Sequence, residues 1–288
     1  MDNDTKGSYS TVGYIKASYI AAVNTLEALS TAYTHSRIVL VPVFGRDADW
    51  VTGAAADYGH SDYVIPAERK DKMLAEVGAE IKKVYAENKI KYGKPFAVVV
   101  LSEAANQLKG LETHLARIIT PESGLIDSFD HPNLEPEMLS YVLKRALSDE
   151  TGIAIEAFAI KPLTYHLRDG KLWGLDDKFA RMTAEECVRL IDEGNFGKVA
   201  TIQDPVIPGY WPDDPLRYVD AHGTTLVVSS VSLDLASQKR TVSETGFLDY
   251  NTLSTTQQFT DYLHPLLGQK QHDPRNYIVP FKAAEFMY

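Results

Sequence analysis

Apolar residues recur along the first two hundred positions in two alternating rhythms. Between 12 and 33 they fall at Ile15, Tyr19, Ala22, Leu26 and Leu29, the i, i+4, i+7 spacing of one helical face. The run RIVLVPVF (37–44) is rich in β-branched residues and short, which predicts a strand buried on both sides. GRDADW then turns into a helix of small residues ending at Gly59, where glycine would accept a left-handed C-cap without strain. DYVIPAE reads as a strand, 71–90 as a helix with Met73, Val77, Ile81 and Val84 inward, and FAVVVLSE as another strand.

From Ala104 to Pro132 the rhythm lapses, with TPESG and DHPN as turn signals, so this stretch is expected to be a crossover holding a short helix near 110–118. It resumes with a helix over 134–149, a strand in IEAFAIKPLTY, a helix over 176–194 ended by Gly194, and a strand in GKVATIQ. Alternating elements of this length imply an α/β fold, a mostly parallel sheet with helices on both faces. Four prolines in DPVIPGYWPDDP change the texture, placing a boundary near 204 between a unit of 1–203 and a C-terminal extension of 204–288. In the extension TTLVVSSVSL predicts a strand, and STTQQFTDYLHPLL a short helix opened by a Ser or Thr cap. Ligands of such folds lie beyond the carboxyl ends of the parallel strands. GRDADW, SEAANQ and YHLRDGK should therefore converge.

Composition narrows the partners. The chain has 288 residues, 44% of them hydrophobic, enough for a real core. No apolar run approaches the roughly 20 residues that span a bilayer, and the opening residues lack a signal-peptide pattern. The lone cysteine, Cys187, lies in a predicted helix, which leaves no disulfide framework and no cysteine metal site. A cytoplasmic protein is expected. A formal charge of −10 argues against nucleic-acid binding, so any anionic ligand must be held by a few local cations. Histidines 35, 60, 114, 131, 222, 264 and 272 fall at no metal-ligand spacing.

The converging loops contain Arg46, Glu103 and Arg168, and Arg37 begins the strand that ends at Phe44. Arginine forks bind phosphate oxygens bidentately, which suits an anion site; taken singly, each reads first as a surface residue, and their shared position at strand ends brings the two readings level. Glu103 could accept sugar hydroxyls or cap the following segment. Asp2 and Asp4, beside Lys6 and Gly7, could supply a general base and its partner. The same stretch also reads as a solvated chain terminus.

Taken in order, these segments resemble the 6-phosphofructokinase family, including its pyrophosphate-dependent branch. MDNDTKGSYSTVGY is similar to the family's Asp-Asn-Asp loop, SRIVLVPVFGRDADW to its strand and Met-Gly-Arg turn, VVVLSEAAN to a strand ending in a substrate-binding Glu, and YHLR to its Gly-Tyr/His-x-Gln-Arg signature. The likeness runs over about 2–203 and carries the 176–203 segment with it. It implies that Asp2 takes the proton from the 1-hydroxyl of fructose 6-phosphate, with Asp4 beside the magnesium-phosphate group. It implies that Arg46 steadies the transferring phosphoryl group, Phe44 and Gly45 line the sugar pocket, and Glu103 binds sugar hydroxyls. Tyr165 and Arg168 would hold the 6-phosphate, joined by Arg37 across a subunit interface. The family's glycine-rich donor site and Gly-Gly-Asp motif lie upstream of the resembling stretch, so this chain would carry the acceptor half.

The sequence departs from the family's pattern at several points. Phe44 stands where Met is usual, Asp49 where Gly is usual, and Thr164 in place of Gly. His166 and Leu167 replace the usual pair before Arg168, and Ala159 replaces a phosphate-binding Arg, with Lys161 two residues on as a substitute. Two readings follow. One is a phosphotransferase subunit, moving a phosphoryl group from pyrophosphate or ATP to O1 of fructose 6-phosphate with Mg2+, as a homo-oligomer or with a second chain supplying the donor half. The Tyr of YHLR leans toward pyrophosphate. The other is a non-catalytic sugar-phosphate-binding or regulatory subunit paired with a full-length relative.

Overall fold

The computed structural model describes residues 3–45, 48–68, 72–103, 105, 108–116, 136–171, 173–204, 216–219 and 225–278, with backbone alone at 136–139 and 216–219. Four strands, β1 (Ile38–Val43), β2 (Tyr63–Ile65), β3 (Ala97–Ser102) and β4 (Phe158–Ile160), form a sheet in the order β2-β3-β1-β4. Every pairing in it is parallel. The expected α/β architecture is thus present.

β1 and β3 are buried along their whole length. Side chains alternate across a strand, and this alternation divides the core. Val39, Val41 and Val43 of β1 with Val98 and Val100 of β3 face one cluster, built with helices α1 (Tyr14–His35), α2 (Trp50–Tyr58), α6 (Gly174–Asp192) and α8 (Gln257–Leu267). Ile38 and Leu40 with Ala97, Val99 and Leu101 face the other, built with α3 (Leu74–Tyr92) and α5 (Pro136–Thr151). A period of two with both phases apolar is the pattern that RIVLVPVF and FAVVVLSE carry.

Some local expectations are corrected. Met73 stands just ahead of α3 and is exposed, while Leu74, Val77 and Ile81 take the buried face. The strand expected across 155–165 shrinks to β4, because a 3-10 turn precedes it and Pro162, lacking an N–H, follows it. The backbone nevertheless stays beside β1, with Lys161 N–H donating to Leu40 and Leu163 N–H to Pro42. Gly59 is not left-handed (φ −87°); His60 takes that conformation at φ 52°. Glycine is required at 59 for another reason. A Cβ there would lie 2.5 Å from Cβ of Thr25 on α1 and 2.3 Å from the Ala55 carbonyl. Thr256, ahead of α8, makes no cap bond; its hydroxyl donates to the carbonyls of Gly246 and Phe247.

Strand β5 (Lys198–Gln203) joins a second, antiparallel sheet, β5-β7-β6, with β6 (Leu216–Val219) and β7 (Thr225–Ser232). Behind β7 come the short helix α7 (Leu233–Ala236), a hairpin of β8 (Leu248–Asp249) and β9 (Ser254–Thr255), and α8. The short α4 (Glu112–Leu115) falls within the stretch expected to be helical near 110–118; residues 117–135 lie outside the described ones. Leu226, Val228, Val242, Leu248, Phe259 and Leu263 belong to the same core cluster as α1 and α2. No helix among the described residues is long and apolar enough to cross a membrane.

The close approach of α1 and α2 depends on small residues, and Gly59→Ala should test it. Overpacking of this kind costs about 1–3 kcal/mol, read as a lower midpoint in urea denaturation with an unchanged slope.

Candidate functional site

The loops after β1, β3 and β4 meet as the strand order dictates, since β1 has β3 on one side and β4 on the other. Gly45 leaves β1 at φ 151°, and a Cβ there would stand 2.6 Å from the Ala48 carbonyl, so only glycine makes this turn. Its N–H points to Oε1 of Glu103 at 3.4 Å, and its carbonyl accepts the Ser102 hydroxyl at 2.8 Å. Glu103 itself is held by its N–H on Val43.

Phe44 links the third loop. Its ring receives the Arg168 guanidinium at 4.0 Å over its face and the Tyr165 ring at 5.4 Å, edge-on. Phe44 is buried, whereas Tyr165 and Arg168 remain exposed, so the phenyl acts as a floor and the polar groups face water. The turn bearing them is anchored by Lys16 of α1, whose ammonium donates to the Asp169 carbonyl. Five of the expected residues, Phe44, Gly45, Glu103, Tyr165 and Arg168, therefore come together. Arg37 does not. It is exposed at the opposite end of β1, about 23 Å from Phe44 at ~3.3 Å per residue. Lys161 donates to the Asn24 carbonyl and pairs with Glu27 at 3.0 Å, which turns it toward α1 rather than into the loops. Asp2 and Arg46 lie outside the described residues.

The N-terminal loop is held at Asn3 and Asp4. Asn3 is fully buried with φ 54°, a conformation that asparagine tolerates better than most residues. Its side-chain carbonyl accepts the Thr11 N–H at 2.9 Å, and its amide donates to the Tyr262 hydroxyl at 2.8 Å. The carbonyls of Asn3 and Asp4 accept the Nη2 and the backbone N–H of Arg240, at 3.0 and 2.7 Å. Asp4 itself is half-buried. Among the described residues no group of three or more His, Cys, Asp or Glu side chains could hold a metal ion. Magnesium needs only one or two carboxylates beside waters and substrate phosphates, so Asp4 could serve it together with a bound phosphate.

Asp49 and Glu68 were not expected to matter as a pair. Asp49 is completely buried and accepts the N–H groups of Ala67 and Glu68 at 2.6 and 3.0 Å. Glu68 returns the bond by accepting the Asp49 N–H at 3.1 Å, and takes those of Val242 and Ser243 at 2.9 and 2.7 Å. The Tyr250 hydroxyl bridges both carboxyls. Burial, reinforced by the Glu68 charge, pushes the Asp49 carboxyl up to about 7. Glu68, Trp50 and Arg240 carried no local signal, because each finds its partners in remote segments; Asp49 was marked only as an aspartate where the family has glycine.

The family described as phosphofructokinase matches residues 1–191. A pyrophosphate–fructose 6-phosphate 1-phosphotransferase of Dictyoglomus thermophilum is 24% identical over 204 residues, 70% of this chain and 54% of the relative. An ATP-dependent 6-phosphofructokinase 2 of Streptomyces coelicolor is 26% identical over 208 residues, 70% of this chain and 54% of that relative. The chain spans about half the length of the curated relatives it matches. Of solved structures, pyrophosphate-dependent phosphofructokinase from Nitrosospira multiformis aligns with a TM-score of 0.65 at 18% identity, over 98% of this chain and 60% of that one. That from Marinobacter aquaeolei aligns with 0.61 at 18%, over 97% and 61%. At this identity the structures share the fold.

The Asp49 carboxyl should make stability pH-dependent with a definite sign. Folded, it keeps its proton to about pH 7; unfolded, it loses it near 3.8. The native state binds the extra proton between those values, so this contribution is full below the lower one and is lost as pH rises through 7. Tm measured from pH 5 to 8 should fall, and Asp49→Asn should flatten that fall relative to its own value at pH 5.

Proposed function

From its membership of the phosphofructokinase family, which the match over residues 1–191 establishes, we propose that this chain is the acceptor part of a phosphotransferase acting on fructose 6-phosphate. The observation that carries the reading is the meeting of Phe44, Gly45, Glu103, Tyr165 and Arg168 at the carboxyl ends of three parallel strands. Such a site offers a sugar an apolar floor, a hydroxyl acceptor in Glu103, and a guanidinium with a phenol for the 6-phosphate. Arg37, on the far end of β1, reaches a phosphate only from a second copy, so the active form is an oligomer.

In this reading Asp2 accepts the proton of the 1-hydroxyl as O1 attacks the terminal phosphorus of the donor. The bond from that phosphorus to its bridging oxygen breaks, and phosphate leaves from pyrophosphate, or ADP from ATP. General-base help of this kind is worth about 10²–10⁴ in rate. Arg46 offsets charge on the phosphoryl oxygens as the group passes between partners. Magnesium, when bound near Asp4, would neutralise phosphate charge and orient the donor. Pyrophosphate is favoured over ATP by Tyr165 in the YHLR turn. The setting is the cytoplasm, where sugar phosphates are processed in glycolysis.

The span of about half the curated relatives favours keeping a second reading, a sugar-phosphate-binding or regulatory subunit that works with a chain supplying the rest. The masses of the polypeptides that copurify from the native source, with a fructose 6-phosphate assay using pyrophosphate or ATP, separate the two. In an active preparation Asp2→Ala should cut turnover by about 10²–10⁴ while sugar-phosphate affinity stays within a few-fold. Arg168→Ala should weaken fructose 6-phosphate binding by about 10–100-fold, the loss of a charge-assisted bond. An inert wild-type chain that binds the sugar phosphate would transfer the proposal to the second reading.

A further inference from the structure

One segment of the C-terminal part touches both the N-terminal loop and the start of the helix that follows the β1 turn. Lys239 bridges Thr5, the Gln238 carbonyl accepts the Lys6 N–H, and the Arg240 N–H donates to Asp4. The Arg240 carbonyl accepts the Trp50 indole N–H at 3.0 Å, at the first residue of α2. Two residues on, Val242 and Ser243 donate to Glu68, which in turn holds Asp49. Residues 238–243 thus tie the start of the N-terminal loop to the end of the turn that follows β1.

The Arg240 side chain sits at the crossing point. Its guanidinium lies 4.1 Å from the centre of the Trp50 ring. Nη2 donates to the carbonyls of Asn3 and Tyr9 at 3.0 and 3.2 Å and lies 3.4 Å from the Tyr262 hydroxyl. Tyr262 is buried and completes the cage: its hydroxyl accepts from Asn3 and donates to Tyr9, while the Tyr9 hydroxyl donates back to the Tyr262 carbonyl at 2.7 Å. A planar cation on an indole face, holding two carbonyls of one loop, fixes a tight turn in a way that a flexible ammonium cannot. Asn3 is one peptide bond from Asp2 and from Asp4.

We infer that Arg240, with Tyr262 behind it, is a positioning residue that holds the N-terminal loop at Asn3 and Asp4 in register with Trp50, the first residue of α2. The inference rests on the phosphotransferase reading for its catalytic consequence, and on geometry alone for the holding of the loop. It gives residues near 240 a role in phosphoryl transfer although they need not touch substrate. Misplacement of a reacting group by about 1 Å can cost on the order of 100-fold in rate.

The test compares Arg240→Met, Arg240→Lys and Tyr262→Phe with the wild type in the full chain, with whatever partner copurifies. Amide hydrogen exchange should accelerate at least about tenfold over residues 3–11 in Arg240→Met, with β3 (97–102) unchanged. Arg240→Lys and Tyr262→Phe should show the same pattern to a smaller degree. In turnover with fructose 6-phosphate, kcat should fall about 10–100-fold with KM held within a few-fold. Equal acceleration in β3 would reveal a merely structural residue and overturn the inference, as would unchanged exchange over 3–11. A loosened loop with unchanged kcat would overturn the catalytic role. A wild-type chain that neither turns over nor binds fructose 6-phosphate would remove the phosphotransferase reading, while the exchange comparison would still decide whether Arg240 holds the loop. If Arg240→Met does not fold, Tyr262→Phe, which loses one hydroxyl, carries the same comparison.

Discussion

Burial of a single indole organises the functional end of this molecule. Trp50 begins α2 and is completely buried, within 5.6–6.5 Å of the rings of Tyr14, Phe247, Phe259 and Tyr262. An aromatic side chain of this class removes roughly 150–250 Å² from water, about 4–6 kcal/mol at ~25 cal/mol per Å². The N–H must find an acceptor in the core or forfeit much of that gain, and the Arg240 carbonyl supplies it. The consequence reaches beyond stability. α2 cannot keep its first residue buried unless the C-terminal segment is in place, and that segment in turn carries the donors that hold Asn3 and Asp4.

The parallel sheet supplies the other half of the arrangement. Because β1 lies between β3 and β4, the chain leaves three adjacent strands at the same end and brings Gly45, Glu103 and the Tyr165–Arg168 turn within contact. The same parallelism sends Arg37 to the far end. A strand of this length separates its two ends by about 20 Å, more than any arginine spans. Arg168 therefore stands at the carboxyl ends of the strands, and Arg37 is too far away to share a ligand there within one chain.

The alternating strands and helices were legible because burial on both sheet faces leaves an unbroken apolar run, and because amphipathic helices repeat at their own period. The candidate loops were legible for a related reason: in a parallel sheet, order along the chain predicts position at one end. Partner choice was not. GKVATIQ reads equally as one more parallel strand, yet β5 pairs antiparallel with β7, a decision made by residues about 30 positions away. Gly59 does cap α2, as read, but without the left-handed conformation; glycine is needed there because the neighbouring Thr25 leaves no room for a Cβ. Asp49 read as a departure from the family's glycine, whereas its carboxyl is turned to the N–H groups of Ala67 and Glu68. Arg240 gave no signal, since its partners at Asn3, Tyr9 and Trp50 lie some 190–237 positions earlier.

An acidic chain is an awkward host for the anionic ligand proposed for it, and the treatment of its carboxylates eases the conflict. With a formal charge of −10 the molecule as a whole repels phosphate. Two acids beside the turn after β1 are spent on backbone donors: Asp49 and Glu68 accept five N–H bonds between them, and Asp49 retains its proton to near neutrality. Asp176 likewise accepts the N–H groups of Gly13 and Lys16 at the start of α1. A buried carboxyl that is neutral, or matched by several N–H dipoles, contributes little repulsion at the mouth of a pocket. The guanidinium of Arg168 stays exposed beside Phe44. These buried acids hold loops together instead of presenting their charge to solvent.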